Sequence, residues 1–425
     1  MRILVDTGAY HQNNAGDNAM LLAALQRLHG LWPNAFIQVL TLNPAAVKEL
    51  YARAEPLLAQ GRNWWFKGGW LPYPLEKGLG SDRSRRLREL MRRRTPRLAM
   101  ELARRRARRA QQSMEPRSFL DALENADLFV VAGGGMITDT FRLHGELVLE
   151  SVRSATHRQI PTAMLGHAIG PVIGASLRRS IQITFPQLDL LTLREKRAGL
   201  PLLREINAMP RNIYTTGDDA IEIAYGGWTE RGSAIGVNVR VASYSRVGSE
   251  ALPVLRQTFS ELAKMYAAPL IPLPVSQDAS DSDRETLRLL LAQDEELAPQ
   301  PLVALPKELV TRVAGCRVVI TGSYHAAVFA LARGIPVVGL SRSDYYRDKF
   351  LGLRDQFGGG VWLVHVDAPD VRSRIKQVFR TAWSISDDDR RQLIQSAERQ
   401  MESGQAAYRL LPEIVESRRA ACRAT

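Results

Sequence analysis

The segment from Val318 to Leu340 restricts the fold more than any other part of the sequence. It begins with an apolar, β-branched run, continues through the polar turn 322–325 into an Ala- and Leu-rich stretch that ends at Gly334, and closes with a second apolar run. Two buried strands joined by one helix form a βαβ crossover, which requires a parallel sheet covered on both faces. The turn therefore lies at the carboxyl edge of the sheet, where open α/β sheets bind ligands. His325 in this turn can hold a phosphate beside a helix N-terminus or transfer a proton.

Strands alternate with helices over most of the chain, which predicts an α/β protein. The alternation begins at Ile3–Thr7 and restarts in a second series after Gly226 and Gly227. We therefore predict two Rossmann-like parallel-sheet domains in a GT-B-like arrangement, with a ligand cleft between them. The predicted units are 1–228, with an Arg-rich helical insertion at about 60–117; 229–385, which carries His325; and a helical tail, 386–425.

Five short motifs follow predicted strands of the first domain. Because the carboxyl ends of parallel strands meet at one edge, we expect these motifs to gather on one rim, where glycine lets a phosphate approach the backbone. Each motif alone is also typical of an ordinary strand-to-helix connection, since glycine, Asp and Asn favour turns and helix caps. The motifs are Gly16-Asp17-Asn18, Gly133-Gly134-Gly135, Gly166-His167-Ala168-Ile169-Gly170-Pro171, Arg194-Glu195-Lys196 and Gly217-Asp218-Asp219.

Charged residues in these positions are candidates for the chemistry. Asp17 stands in a helix-initiating turn, so it is either an N-cap or a general base for a substrate hydroxyl. Arg194 leaves a strand end and can recognise a carboxylate or phosphate through paired hydrogen bonds, the alternative being an exposed salt bridge. Arg240 is a candidate of the same kind, and His167 is a lesser one. The other histidines are predicted to be surface or satisfied residues: His11, His29, His144, His157 and His365.

Composition places the chain among ordinary globular proteins. It has 425 residues, of which 45% are hydrophobic and 24% are charged. A chain of this length and composition can bury substantial cores and should divide into two or three domains. Cys316 and Cys422 are far apart, so neither a disulfide framework nor a Cys/His metal cluster is predicted. The apolar run at the N-terminus is too short for a signal peptide, and no run approaches the roughly 20 apolar residues of a membrane span. We expect a cytoplasmic, reducing environment.

Most of the formal net charge of +13 comes from one segment. Between Ser81 and Arg117 there are 14 arginines and four carboxylates, on a partial helical stripe interrupted near Pro96 and preceded by aromatic residues such as Trp65 and Trp70. A basic amphipathic hairpin suits the anionic inner face of a membrane or a polyanionic substrate, and it suits nucleic acid less. The alternative is a solvated, partly packed helical insertion. Peripheral membrane contact is one hypothesis for this segment, and nucleic acid is not an expected partner.

Taken in order, the motifs resemble the polysaccharide pyruvyl transferase family. The resemblance runs from about Gly16 to Lys349 and leaves the arginine-rich segment unmatched. It rests on the five motifs above, on His325-Ala326-Ala327 with Gly334-Ile335-Pro336, and on the trailing Ser341, Tyr345 and Lys349. It implies two Rossmann-like domains in a GT-B-like arrangement. It also implies transfer of a pyruvyl group from phosphoenolpyruvate to a sugar diol of a polysaccharide or lipid-linked glycan, without a cofactor or an essential metal.

The resemblance also assigns roles to residues. Arg194 and His325 fall on donor-binding positions of the family, and we add Arg240, Gly322, Ser323 and Lys349 as donor-binding candidates. In the expected mechanism His325, or a water that it orients, protonates the enol carbon. Asp17 takes the proton of an attacking sugar hydroxyl, phosphate leaves, and a neighbouring hydroxyl closes the ketal. The expected partner is a glycan or lipid-linked glycan acceptor, and a homo-oligomer is a further expectation.

The sequence departs from the family pattern at two positions. Ser323 stands where family members usually carry an arginine that helps to hold the anionic donor, and His167 stands where a glutamine is more usual. Loss of a charge opposite the donor should cost about 1.5–3 kcal/mol unless another group compensates. Candidates for that compensation are Arg342, Arg347, Lys349 and His167, and the alternative is that the donor has changed.

Two other functions are compatible with the sequence. A GT-B-type glycosyltransferase, or another transferase with a nucleotide-linked sugar donor, would use the same rim for a diphosphate, since fold does not determine function. An inactive envelope-assembly protein would bind an anionic glycan through the arginine hairpin, around Arg92-Arg93-Arg94. Ligand-induced thermal stabilisation by phosphoenolpyruvate or by nucleotide sugars separates the two enzymes.

Overall fold

The computed structural model describes residues 1–67, 70–109, 115–240, 249–277, 282–291 and 305–424. The strands in these ranges are β1 Arg2–Asp6, β2 Phe36–Thr41, β3 Glu55–Leu58, β4 Leu128–Val131, β5 Gly134–Ile137, β6 Thr162–Ile169, β7 Leu190–Leu193, β8 Ile213–Thr215, β9 Ala234–Asn238, β10 Leu270–Pro272, β11 Cys316–Thr321, β12 Val337–Ser341 and β13 Val361–His365.

The helices surround these strands. They are α1 Ala15–Leu31, α2 Pro44–Leu50, α3 Ala59–Lys67, α4 Tyr73–Arg94, α5 Pro96–Arg109, α6 Glu115–Glu124, α7 Arg142–Thr156, α8 Ala175–Thr184, α9 Gly199–Glu205, α10 Ala220–Ala224, α11 Leu252–Tyr266, α12 Asp283–Leu291, α13 Pro306–Ala314, α14 Tyr324–Leu331, α15 Asp344–Phe357, α16 Val371–Trp383, α17 Asp387–Tyr408 and α18 Leu411–Ala424.

The described strands form two sheets in which every strand pairing is parallel, as the alternation of strands and helices predicts. The first sheet has the order β3-β2-β1-β4-β6-β7-β8, with β5 added at the end of β6, and we call it with its helices the first lobe. The second sheet has the order β10-β9-β11-β12-β13 and belongs to the second lobe. The chain reverses its direction of travel across each sheet between β1 and β4 and between β9 and β11. Open α/β sheets bind ligands at such points.

One expected turn is part of a strand. Residues 166–169 were predicted to lie in a glycine-rich turn, but β6 runs on to Ile169, whose side chain is buried. The register shifts between Met164 and His167, and Gly166 has φ +71°, a conformation that favours glycine. Gly166 therefore supplies a bulge that lets the strand continue, and the chain turns only after Gly170.

The arginine-rich insertion is a helical layer on the first lobe. Helices α4 and α5 meet at Thr95 and Pro96, where the break was predicted. Trp65 and Trp70 stack with ring centroids 5.2 Å apart and are fully buried, so these aromatics are core residues and do not form a membrane-facing surface. Within the described part of the chain, no helix has both the length and the apolarity needed to cross a membrane.

The C-terminal helices lie across both lobes. In the second lobe the Arg390 guanidinium donates to the Gly334 carbonyl, and the Ser396 hydroxyl donates to the Phe357 carbonyl. In the first lobe the Tyr408 hydroxyl donates to Asp219 at 3.1 Å, and Arg418 donates to Asp189 at 2.9 Å. The tail therefore joins the two halves of the molecule on the side of α10 and α1.

Candidate active site

A cavity of about 400 Å³ lies between the lobes, at the carboxyl ends of their strands. The first lobe contributes residues 7–9 after β1, 133–136 after β4, and Arg194 after β7. The second lobe contributes Arg240 after β9 and residues 323–325 after β11. The cavity thus lies where the strand order reverses in both sheets, and these loops meet because the two reversal points face each other.

Two backbone segments join the lobes beside the cavity. The N–H of Ala15 donates to the Val275 carbonyl at 2.9 Å, and the N–H of Gln277 donates to the Asn13 carbonyl at 2.8 Å. Asn14 and Ser276 form an antiparallel bridge between these bonds. This pairing places the start of α1 against the second lobe, so that Asp17 lies opposite residues from both sheets.

Arg194 is buried in the cavity wall. Its Nη1 donates to Asp218 Oδ2 at 3.1 Å, and its guanidinium lies 4.1 Å from the ring centroid of Tyr324. Only 3% of the residue is exposed, so the alternative of an exposed salt bridge is wrong. Asp218 and Tyr324 hold the pKa of Arg194 above its usual value although burial opposes this. The side chain is therefore a positioned cation, and its buried Nε has no hydrogen-bond partner among the described residues.

His325 occupies the first turn of α14, as the sequence predicts. Its Nε2 is buried without a hydrogen-bond partner among the described residues and lies 3.8 Å from Asp218 Oδ2, beyond hydrogen-bond distance. Burial lowers the pKa of His325 to about 3, and Arg194 and Lys349 lower it while Asp17 opposes them. The imidazole is therefore neutral near pH 7, which makes it a hydrogen-bond donor or acceptor toward a ligand.

Asp17 points into the cavity and is not the N-cap of α1. That role belongs to Asn14, whose Oδ1 accepts the N–H groups of Gly16 at 2.9 Å and Asp17 at 3.2 Å. The Asp17 side chain is half-buried among the lining residues. Since a carboxylate that is not needed as a cap is available for a substrate hydroxyl, this geometry leaves the general-base alternative.

The predicted glycines divide into two groups. Gly133, Gly134 and Gly135 line the cavity, and a Cβ on Gly135 would lie 3.2 Å from Arg194 Nη2. The others are not among its lining residues: Gly16, Gly166, Gly170 and Gly322.

Packing within the protein explains most of this second group. A Cβ on Gly16 would lie 1.9 Å from His325 Cγ, a Cβ on Gly166 would lie 3.0 Å from Asp219 Oδ2, and one on Gly322 would lie 3.2 Å from the Arg240 nitrogen. The expectation that each glycine motif admits a ligand phosphate is therefore wrong for Gly16 and Gly166, and Gly322, a predicted donor-binding residue, does not line the cavity. They admit protein groups that shape the site.

Arg240 is held by a carboxylate that sequence reasoning missed. Asp283 Oδ1 accepts Arg240 Nη1 at 2.8 Å, and its Oδ2 accepts the Asn238 amide at 2.8 Å and the N–H groups of Val275 at 2.8 Å and Ser276 at 2.9 Å. Asp283 thus fixes Arg240 and the loop at 275–276 together. No nearby motif marks it in the sequence, because it joins the site through residues far away along the chain.

Lys349 completes the set of cations. Its ammonium lies 4.1 Å, 5.2 Å and 5.7 Å from the ring centroids of Tyr345, Tyr346 and Tyr324. Burial lowers the pKa of Lys349 well below its usual value, and Arg194 lowers it further. Tyr345 and Lys349 are four residues apart on α15, a spacing that places them on one helix face.

Other residues complete the wall. His144, predicted to be a surface or satisfied residue, lines the cavity and packs edge-on against Tyr10 with ring centroids 5.4 Å apart. Phe141 lines the cavity near its opening and is 36% exposed. The described residues contain no group of three or more His, Cys, Asp and Glu side chains placed to bind a metal ion.

Comparison with known families identifies the chain. The model of the polysaccharide pyruvyl transferase family matches residues 14–344, most of the sequence. The chain belongs to this family. Membership makes it a group-transferring enzyme, a transferase. No curated protein sequence matches the chain significantly.

Solved structures show that this pyruvyl transferase family member has the GT-B fold of glycosyltransferases and epimerases. S. aureus MnaA with UDP has a TM-score of 0.55 at 12% identity and covers 96% of this chain and 94% of its own. UDP-GlcNAc 2-epimerase from Neisseria meningitidis bound to UDP-GlcNAc has a TM-score of 0.53 at 13% identity and covers 98% of this chain and 100% of its own. Arabidopsis thaliana UGT89C1 complexed with UDP-L-rhamnose has a TM-score of 0.54 at 12% identity and covers 98% of this chain and 98% of its own.

The structure narrows the list of candidates for compensation at Ser323. Arg342 is outside the cavity and pairs with Glu250 and Asp367, while the exposed Arg347 pairs with Asp344. His167 is completely buried, and its Nε2 lies 3.2 Å from the Val131 carbonyl. None of these three lines the cavity, whereas Ser323 and Lys349 both do. Among the four candidates, Lys349 is therefore placed to supply the charge.

Proposed function

We propose that this transferase moves a pyruvyl group from phosphoenolpyruvate to a sugar diol of a polysaccharide or lipid-linked glycan precursor and forms a cyclic ketal. One observation carries the proposal. The described lining residues of the cavity include three cations, Arg194, Arg240 and Lys349, and one carboxylate, Asp17. A small donor that carries a phosphate and a carboxylate matches such a site, because fixed cations in a partly enclosed cleft attract anions strongly.

The two anionic groups of the donor have separate partners in this proposal. The carboxylate lies against Arg194, whose guanidinium plane is held by Asp218 and Tyr324. The phosphate lies near Lys349, Arg240 and the N-terminus of α14, where unpaired N–H groups favour an anion. His325, neutral by reason of its burial, donates a hydrogen bond to the phosphate and so helps it to leave.

The acceptor approaches from the open side of the cavity. Asp17 faces the cations across the cleft and removes the proton of the attacking hydroxyl. Phe141 and His144 line the cavity, and aromatic rings pack well against the apolar face of a sugar.

The proposal is tested by mass spectrometry of glycans incubated with phosphoenolpyruvate and the protein. A gain of about 70 Da on a sugar is the expected result, since ketal formation replaces two hydroxyl hydrogens by one carboxyethylidene group. His325→Ala should remove at least about 90% of this product without loss of the folded state, through loss of the phosphate contact. No mass gain on any diol-containing glycan would overturn the proposal.

A ligand titration separates the proposal from a nucleotide-sugar enzyme, the function that the UDP-bound structures of similar fold suggest. Phosphoenolpyruvate should raise the midpoint of thermal unfolding in a saturable way, and UDP-GlcNAc should not. Stabilisation by UDP-GlcNAc alone would favour a glycosyltransferase. Glycan binding that is lost on neutralising Arg92-Arg93-Arg94, without phosphate release, would favour a non-catalytic envelope protein.

A further inference from the structure

We infer that Lys349, rather than His325, delivers the proton to the methylene carbon of the donor. The inference rests on the proposed function and adds the identity of the acid to it. The Lys349 ammonium lies in the cavity wall, 3.7 Å from the position that a Cβ on Gly135 would occupy. None of the described carboxylates forms an ion pair with it. The ammonium therefore faces the ligand space with its protons available.

The tyrosines around Lys349 fix its direction. Tyr345 and Tyr346 precede it on α15, and Tyr324 begins α14 on the facing side. The Tyr345 hydroxyl is buried without a hydrogen-bond partner among the described residues and lies 3.6 Å from the same Gly135 position. A polar group so placed points to a ligand that would accept its hydrogen bond. Lys349 and Tyr345 thus converge on one point above Gly135.

His325 is in a poorer position to act as an acid. Its ring packs closely against Gly16, where even a methyl group would overlap it. Asp218 lies 3.8 Å from Nε2, yet Asp218 is already committed to Arg194 and to the Ala220 N–H. Among the described residues, no carboxylate therefore stabilises a charged imidazole by a direct hydrogen bond. A neutral imidazole is a weak acid, which suits a hydrogen-bond donor and not a proton donor to carbon.

Burial and the charges around Lys349 together favour release of its proton. Arg194 and Arg240 face it from the first and second lobes and favour the neutral amine, whereas Asp17 on α1 and Asp218 after β8 favour the ammonium. Burial adds to the effect of the arginines, so that the pKa of Lys349 is well below its usual value. The other titratable groups facing this space are His144, Tyr324, His325, Tyr345 and Tyr346. Bound phosphate and carboxylate would keep the amine charged at the start of the reaction, and the arginines would help it to give up the proton.

The electron pair of the donor's carbon–carbon double bond takes a proton from Lys349 and forms the methyl group. The first sugar hydroxyl adds to the adjacent carbon as its proton passes to Asp17, and the bond from that carbon to the phosphate oxygen breaks with its electrons going to phosphate. The second hydroxyl adds to the same carbon, and its proton returns to the Lys349 amine. The proton on Asp17 leaves with phosphate or solvent, so the enzyme is unchanged.

Substitutions that separate charge from acidity test the inference, on the glycan that the wild-type protein pyruvylates. Lys349→Arg keeps a cation for donor binding but cannot release a proton at neutral pH. We expect kcat to fall at least about 100-fold while KM for phosphoenolpyruvate changes much less. Arg347→Lys, on the exposed face of the same helix, is the matched control and should match the wild type. A Lys349→Arg enzyme with near-normal kcat would overturn the inference and leave the proposed function intact.

A pH profile gives a readout that a purely binding role would not move. Lys349→Cys in a Cys422→Ser background, alkylated with bromoethylamine, restores an ammonium that the adjacent sulfur makes more acidic; Cys316 is buried and protected. Since the acid must be protonated, kcat falls as pH rises through its pKa. The alkaline limb should therefore move to lower pH in the alkylated protein. An unmoved limb would assign the acid elsewhere, and a wild-type protein that pyruvylates nothing would overturn the proposed function and this inference together.

Discussion

Gly16 shows how one residue decides the position of a functional side chain. The ring of His325 occupies the space where any other residue at 16 would place its Cβ, with a separation of only 1.9 Å from Cγ. Both residues lie in the first turn of a helix, α1 in the first lobe and α14 in the second. The two lobes therefore approach each other through a contact between a glycine and a histidine.

Gly16→Ala should consequently disturb both stability and donor binding. Overpacking by one methyl against a buried ring is expected to cost about 2–3 kcal/mol and to weaken phosphoenolpyruvate binding at least about tenfold. Denaturant unfolding and ligand-induced thermal shifts measure the two effects. Gly30→Ala is the control on the same helix, since a Cβ there meets nothing within 4 Å. It should be neutral or stabilise by less than about 1 kcal/mol. Equal effects of the two substitutions would contradict this packing role.

His167 should make folding sensitive to acid. Burial lowers its pKa to about 4, and in the unfolded chain the pKa is about 6.5. Between these values the unfolded state binds more protons than the folded state, so stability is full above about pH 6.5 and falls as pH decreases toward 4. The loss from this residue is expected to be about 3 kcal/mol.

His167→Gln tests the effect, because an amide can still donate to the Val131 carbonyl and does not titrate. The variant should lose less stability than the wild type between pH 6.5 and 4.5, as measured by urea unfolding at each pH. His365→Gln, at an exposed position, should follow the wild-type curve. An identical pH dependence in the His167 variant and the wild type would show that the residue is not held neutral.

At the scale of single elements, the insertion helix α3 supports a loop of the active site. Arg62 on α3 pairs with Asp6 at the end of β1 at 3.0 Å, and both side chains are at most 1% exposed. The Tyr10 hydroxyl donates to the other oxygen of Asp6 at 2.6 Å and contacts Arg62 as well. Residues 7–9, which lie between Asp6 and Tyr10 in the sequence, line the cavity. The insertion is therefore connected to the site through one buried ion pair.

Arg62→Met should destabilise the protein by about 3–5 kcal/mol, because it leaves the Asp6 carboxylate buried without its cation. It should also weaken phosphoenolpyruvate binding by loosening residues 7–9. Arg105→Met is the control in the same insertion. Arg105 is exposed and pairs with Glu101 one turn away, so its loss should cost at most about 0.5 kcal/mol. Chemical denaturation compares the two, and a small effect of Arg62→Met would rule out this connection.

At the scale of the whole molecule, the C-terminal tail couples the lobes. Arg27 on α1 lies at the centre of this contact and pairs with Asp219 at 2.6 Å and with Glu222 at 2.6 Å. The ring of Tyr408, from the end of α17, lies 4.8 Å from the Arg27 guanidinium. Because α17 also packs on α15 and α14 of the second lobe, this helix contacts both of the bodies between which the cavity opens.

Tyr408→Ala should therefore weaken the whole structure. The loss of a buried ring should cost about 3–5 kcal/mol, and Tyr408→Phe, which removes only the hydroxyl bond to Asp219, should cost about 1 kcal/mol. Calorimetry should show one unfolding transition in the wild type and a broader or divided transition in Tyr408→Ala. A single, equally sharp transition in the alanine variant would show that the lobes are coupled elsewhere.

Local patterns in the sequence were sufficient for much of this architecture. Apolar β-branched runs alternating with helices predict two parallel sheets, and the order of short motifs indicates the family. Both patterns are visible in the sequence because each depends only on residues that are neighbours along the chain. The helix break at Pro96 and the position of His325 at the start of α14 were predicted on the same grounds. Arg194, Arg240 and Lys349 could be chosen as candidates since they follow strands or belong to family motifs.

Tertiary structure alone decided how these residues meet. Asp283 holds Arg240 from 43 positions away, and Gly16 makes room for a histidine of the other lobe. Gly166 proved to be a strand bulge, and His144, predicted to be a surface or satisfied residue, lines the cavity. The physical reason is that local patterns specify which way a chain runs and which face is apolar. Burial, the charge of distant neighbours and the close approach of two lobes arise only when the sheets pack together, and these determine the acidity of His325 and Lys349.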